Sequence, residues 1–179
     1  MQPIQRRIFY VLILLAGLAW IGIGAGGTEN SAAETSAPQK GFLAPDFTLK
    51  ATDGKTYSLS DLHGQAVIIN LWATWCPPCR AEMPAIQKLY EEYKDQGLIV
   101  LAVNSTVQDD ISAIAPFVAE YGLTFPVLLD ENGEVTRAYQ LRSLPSSYFI
   151  GRDGVINEVV IGGPMSEALL RTRIEDILK

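Results

Sequence analysis

The chain holds only two cysteines, Cys76 and Cys79, and they stand three positions apart in WATWCPPCRAEMP, residues 72–84. Two thiols this close can form a structural staple, part of a metal site or a redox couple. A structural zinc site wants four ligands, and two cysteines with a single histidine do not supply them. That histidine, His63 in SDLHG, sits in a polar turn, which suits a surface residue and leaves a copper site of the chaperone type without its third ligand. A disulfide closing so short a loop restricts the unfolded chain little, because the stabilisation grows with loop length. The redox reading has a physical case. A thiolate at a helix N-terminus is held by free amide groups and the helix dipole, so Cys76 is the expected attacking sulfur. Cys79, one turn on, is placed to resolve a mixed disulfide.

The elements around the pair must then put it at a helix start. AVIINLWA, residues 66–73, is a nearly continuous apolar run and reads as a strand buried on both faces. Pro77 and Pro78 fit only the first turn of a helix, beyond which Met83, Ile86, Leu89, Tyr90 and Tyr93 recur at helical spacing. Pro84 falls inside that helix, where it is expected to kink it, and Gly97 ends it. Ahead of the core, FTLKATDGKTYSLSDL places two short alternating runs around Asp53-Gly54, a hairpin signal. LIVLAVN at 98–104 predicts a second buried strand, and DDISAIAPFVAEYG a second helix starting near Asp109 or Asp110. PVLLD (126–130), SSYFI (146–150) and VINEVVI (155–161) predict three more strands, the last two paired across GRDG. A final helix over 165–178 is expected to bury Leu170, Ile174, Ile177 and Leu178. The order predicts an α/β fold with a central mixed sheet flanked by helices.

The N-terminus reads differently. Arg6 and Arg7 precede an uncharged run, Ile8–Ala25, whose 18 positions would span roughly 27 Å as a helix, close to a bilayer's hydrocarbon thickness. Two basic residues before it and Glu29 after it favour an inside N-terminus and export of the remainder. The expectation is an anchor over 1–27, a flexible linker over 28–40 and a domain over 41–179. The competing reading is a signal peptide cleaved near SAA at 31–33. Beyond the run stand 12 basic against 20 acidic residues, a net charge of about −8. That argues against nucleic acid as a partner.

Taken together, WATWCPPCRAEMP, APDFTLKATDGKTYSLSDLHGQ before it, YGLTFPVLLDENGEV after it and LPSSYFI later resemble the extracytoplasmic thioredoxin-like proteins of the TlpA, ResA and CcmG group, over about residues 42–178. The resemblance implies a thioredoxin-like fold with an added N-terminal β-hairpin and one N-terminal transmembrane helix. It implies membrane-tethered thiol-disulfide exchange outside the cytoplasm, often on apocytochrome c, with a CcdA- or DsbD-like membrane electron donor and no cofactor. Cys76 matches the family's nucleophile and Cys79 its resolving cysteine. Pro145 matches the cis-proline facing them, although a trans proline opening a strand is allowed by the residue preferences. Trp75, Leu144 and Pro145 would bind substrate, the backbone flanking Pro145 holding its chain extended, and Trp72 belongs to the core. Glu82 matches a glutamate one turn past the second cysteine that takes up a proton; from spacing alone it reads as a solvated helix residue. Thioredoxin carries an aspartate on the strand before its cysteines, where this chain has Asn70, which cannot titrate.

Three rivals remain. A thiol peroxidase of the peroxiredoxin type needs a proline and a threonine seven and three residues before its cysteine, where Ile69 and Ala73 stand. A tethered binding module would keep the fold with idle cysteines. A disulfide donor or isomerase would use the same residues in the opposite direction.

Overall fold

The structure, a computed structural model, describes residues 36–179. The expected anchor and the linker up to residue 35 lie outside the described residues, and no helix among those described is long and apolar enough to cross a membrane. Two three-residue strands, β1 (Thr48–Lys50) and β2 (Thr56–Ser58), pair antiparallel with Leu49 opposite Tyr57. Asp53 and Gly54 make the turn between them, with Gly54 at φ 82° and the Asp53 carboxylate accepting from the Lys55 N–H at 2.9 Å.

The apolar run becomes β3 (Ala66–Trp72), buried at every position, because it lies in the middle of a sheet covered on both faces. It pairs in parallel with β4 (Leu98–Asn104) and antiparallel with β6 (Ser146–Ile150). The edges are β5 (Val127–Leu129) and β7 (Ile156–Ile161), giving the order β5-β4-β3-β6-β7. The helices are α1 (Pro77–Tyr93), α2 (Ile111–Tyr121), α3 (Glu134–Ala138) and α4 (Glu167–Leu178).

Alternation along the strands splits the core in two. Ile68 and Trp72 face α1, α2 and α4, among Met83, Ile86, Leu89, Phe117, Leu170 and Ile174. Val67, Ile69 and Leu71 face the other way, toward Leu59, Val135, Tyr139 and Tyr148. Trp72 is a core residue, fully buried with its ring centroid 4.5 Å from that of Phe117. The parity of β3 therefore aims Asn70, two residues from Ile68 and Trp72, at the α1 side.

Several expectations needed adjustment. The helix after the cysteines, with Pro84 inside it as expected, stops at Tyr93 and reaches Gly97 by a short 3-10 turn. Leu178 is only half-buried. Helix α3 was not foreseen; at five residues it is too short for a periodic pattern, and it forms because the buried Asp130 carboxylate accepts from the N–H groups of Val135 and Thr136 at 3.2 and 2.7 Å.

Candidate active site

The two cysteines lie where β3 leaves the sheet and α1 begins. Cys76 is the N-cap residue of α1, in extended conformation at φ −83° and ψ 109°. It is joined to Cys79 by a disulfide with an S–S distance of 2.07 Å. Pro77 and Pro78 fill the first two helical positions, where a missing N–H breaks no helical bond. Their presence trims the expectation of several free amides around the sulfur. A helix N-cap atom is served by the second or third helical N–H; here the second belongs to a proline, and Cys79 N–H alone donates to Cys76 Sγ, at 3.3 Å.

The pair is asymmetric. Cys76 lines a groove of about 330 Å³ whose walls are Trp75, Pro77 and Pro78 on one side and residues 141–144 on the other. Both cysteines are buried, Cys76 at 2% and Cys79 at 0% exposure, and of the two only Cys76 lines those walls. Trp75 is 56% exposed and tethered through its indole N–H to the Gln108 carbonyl at 2.9 Å. Leu144 is half-buried on the opposite wall, and the Leu144–Pro145 peptide bond is cis. His63 is exposed and lines a different cavity, with Leu43 and Leu59.

Glu82 is not the solvated residue its helical spacing suggested. It has no exposed surface. Its Oε1 accepts from Asn70 Nδ2 at 2.9 Å and its Oε2 from the Met165 backbone N–H at 3.1 Å. Burial pushes the carboxyl above its ordinary range, and these two donors pull it part of the way back. The Asn70 amide also donates to Ser147 Oγ at 2.9 Å, across the β3–β6 pairing in which the two residues are directly opposed. Gly163 packs over this group; a Cβ there would lie 2.8 Å from Glu82 Oε2 and 2.7 Å from Pro145 Cγ. The loop from 162 to 165 thus ties the buried carboxyl to the proline loop, with Gly162 N–H donating to the Pro145 carbonyl at 2.7 Å.

One positioning residue escaped the sequence reading. Asp109 accepts from the Thr74 N–H at 2.6 Å, from the Thr74 hydroxyl at 2.5 Å and from Asn104 Nδ2 at 2.7 Å. It pins the turn that leads into Cys76. Its neighbour Asp110 caps α2, accepting from the Ser112 N–H at 2.9 Å. The adjacent acids were legible as a helix start, and only the third dimension separates their tasks.

The comparisons agree with this geometry. The AhpC/TSA family model matches residues 41–159. Thiol-disulfide oxidoreductase ResA of Oceanobacillus iheyensis is 40% identical over 178 residues, covering 97% of this chain and 88% of that protein. Thioredoxin-like protein YneN of Bacillus subtilis is 44% identical over 125 residues, 69% of this chain and 72% of that one. Among solved structures, a putative thiol:disulfide interchange protein DsbE from Chlorobium tepidum superimposes with a TM-score of 0.72 at 32% identity, over 79% of this chain and 99% of that one. A paired Cys76 and Cys79 at a helix start, in a thioredoxin-like sheet shared with these relatives, place the chain in the AhpC/TSA family, in its TlpA/ResA/CcmG thioredoxin-like group, as a thiol-disulfide oxidoreductase.

Proposed function

We propose that the protein works as a reductant, donating electrons from the Cys76/Cys79 dithiol to disulfides of proteins outside the cytoplasm, apocytochrome c foremost. The observation that carries the direction is the hydrogen bonding of Cys76 Sγ. A strongly oxidising couple owes its potential to a stabilised reduced form, and N–H groups at a helix N-terminus are a main source of that stabilisation. Pro77 and Pro78 delete two of them and leave Cys79 N–H. A poorly stabilised thiolate gives up its electrons readily.

The sequence of steps follows from the asymmetry of the pair. The Cys76 thiolate, at the floor of the groove, attacks one sulfur of the substrate disulfide. A Cys76–substrate disulfide forms, and the other substrate sulfur leaves as a thiolate. Glu82 accepts the proton of the Cys79 thiol, and the resulting Cys79 thiolate attacks Cys76 Sγ. The Cys76–Cys79 disulfide forms, and the second substrate sulfur leaves with the protein's two electrons. Trp75 and Leu144, on opposite walls, contact the substrate chain beside its cysteine, and Pro145 holds the wall against the disulfide. A CcdA- or DsbD-like membrane thiol donor would restore the dithiol. In this reading residues 1–27 anchor the chain with its N-terminus inside, and residues 28–40 link the anchor to the catalytic domain.

The test is the reduction of an oxidised peptide containing the haem-attachment sequence Cys-x-x-Cys-His by the pre-reduced protein, followed by thiol release. The reading predicts stoichiometric reduction that Cys76→Ser abolishes. A reduced protein that leaves the peptide disulfide intact contradicts it.

A further inference from the structure

The residue opposite Glu82 is anomalous for its place in the fold. β3 is the central strand of the sheet, and six of its seven residues are apolar. The seventh, Asn70, is fully buried. Both N–H groups of its amide are used, one on Glu82 and one on Ser147, while its Oδ1 has no partner. An unpartnered buried carbonyl costs the desolvation of that group with no bond in return, and a β-branched apolar residue would suit the strand better. Among the described residues Oδ1 is also the sole buried side-chain oxygen left without a hydrogen bond. Packing and strand pairing therefore do not account for an amide at this position.

We propose that Asn70 is the positioning residue of the proton carrier, and that the Asn70 amide and the Glu82 carboxyl act as one unit across the β3–α1 contact. The inference rests on the reading of Glu82 as the group that receives the Cys79 proton. The amide does two things for that group. Its Nδ2 fixes Oε1 on the face of α1 that Cys79 occupies one turn earlier, so the carboxyl stays aimed while it is charged. Its donation also favours the carboxylate over the acid, which enlarges the share of the buried group free to take a proton when Cys79 must lose one. The proton moves from the Cys79 sulfur to a Glu82 oxygen, and leaves from there to solvent or to the departing thiolate. Oδ1 on the same amide is an acceptor left open for the added proton, reached by a half-turn of the amide that keeps Ser147 as partner, because a hydroxyl both donates and accepts.

Other influences on Glu82 are few. On α1 it stands one turn after Cys79, which carries no proton while oxidised; from β3 it meets the uncharged Asn70, which Ser147 of β6 backs, and from the 162–165 loop a backbone N–H and Gly163. No charged side chain contributes to its shift. Loss of the Asn70 donor should therefore register directly.

The first measurement is a pH titration of the oxidised wild-type protein by isotope-labelled NMR, following Glu82 Cδ and the Asn70 side-chain amide together. The expected result is one shared midpoint for both; an amide whose signals do not move while Glu82 titrates overturns the inference. The second uses Asn70→Leu, scored by the same Glu82 signal and by the rate at which Cys79 resolves a preformed Cys76 mixed disulfide. The expected results are a midpoint raised by about one pH unit, corresponding to a tenfold change in proton affinity, and slower resolution at neutral pH with unchanged alkylation of Cys76. An unshifted midpoint, or equal losses at both cysteines, overturns it. In the double variant Asn70→Asp/Glu82→Gln the carboxyl and amide trade places, and partial recovery of the resolution rate over Glu82→Gln alone is expected; no recovery contradicts the paired unit. The titration uses neither substrate nor redox partner, so it fails independently of the proposed reductive function. If Glu82→Gln resolves normally, the carrier reading falls, whatever the titration reports about Asn70.

Discussion

Cys79 donates its backbone N–H to the sulfur of Cys76 at 3.3 Å, and it is the one first-turn amide available to do so, because the two positions between them are prolines. In the proposed mechanism, the cysteine that resolves the mixed disulfide thus also helps hold the attacking one. The sequence between them controls how well the reduced form is held.

That relationship gives a directional prediction for Pro78→Ala. The substitution restores an N–H at the second helical position, one of the two that can serve the N-cap atom. One added charge-assisted hydrogen bond, worth about 1.4 kcal/mol to the thiolate form, should raise the reduction potential by about 30 mV. Equilibration against glutathione buffers measures it, and a fall in potential would contradict the argument.

The division of labour between the thiols predicts different failures for two serine variants. Cys76→Ser should lose exchange altogether. Cys79→Ser should accumulate a covalent complex with substrate, visible on non-reducing gels and released by dithiothreitol. Accumulation in Cys76→Ser instead would reverse the assignment.

Glu82 makes a prediction about stability. Its carboxyl is raised above the ordinary value of 4.5 in the folded protein by burial, so the folded state holds a proton that the unfolded state has already lost. Stability from this group is present below the unfolded value and is lost as pH rises through the folded one. Glu82→Gln removes that dependence. Denaturation of the oxidised forms should show the variant gaining on the wild type as pH climbs from about 4.5 toward neutrality; a difference that stays flat with pH would refute the raised carboxyl.

Asp109→Ala should loosen the turn before Cys76, since it removes three hydrogen bonds from one carboxylate. A loss of about 2 kcal/mol in denaturant unfolding is expected, together with a lower exchange rate and altered Trp75 fluorescence. Full activity at reduced stability would limit Asp109 to a structural part.

At Gly163 a methyl group meets both Pro145 and Glu82 at under 3 Å. Gly163→Ala should cost about 1–3 kcal/mol by overpacking and slow exchange with protein disulfides, because the displaced walls are the proline loop and the carboxyl. Unchanged stability and kinetics would show that the loop relaxes without involving either.

Much of this was legible in the sequence, and the reasons are physical. Nearly continuous apolar runs such as 66–72 and 98–104 have few options besides central strands, and Pro77-Pro78 fits little except a helix start. The site was half legible. Cys76 and Cys79 are found by their type and spacing. Glu82, on spacing alone, looks like any helix glutamate; its burial depends on α4's preceding loop, some eighty residues away, bringing Met165 and Gly163 onto it. Asn70 was readable as a polar break in an apolar strand, while its hydrogen bonds to Glu82 and Ser147 are products of strand register and helix docking.

Whether the couple is a reductant is read from the reduction potential of Cys76/Cys79 in the wild-type protein, equilibrated against defined thiol buffers. A value at or below roughly −250 mV, near that of thioredoxin, is the predicted result. A value near about −120 mV would make the protein a disulfide donor and contradict the account.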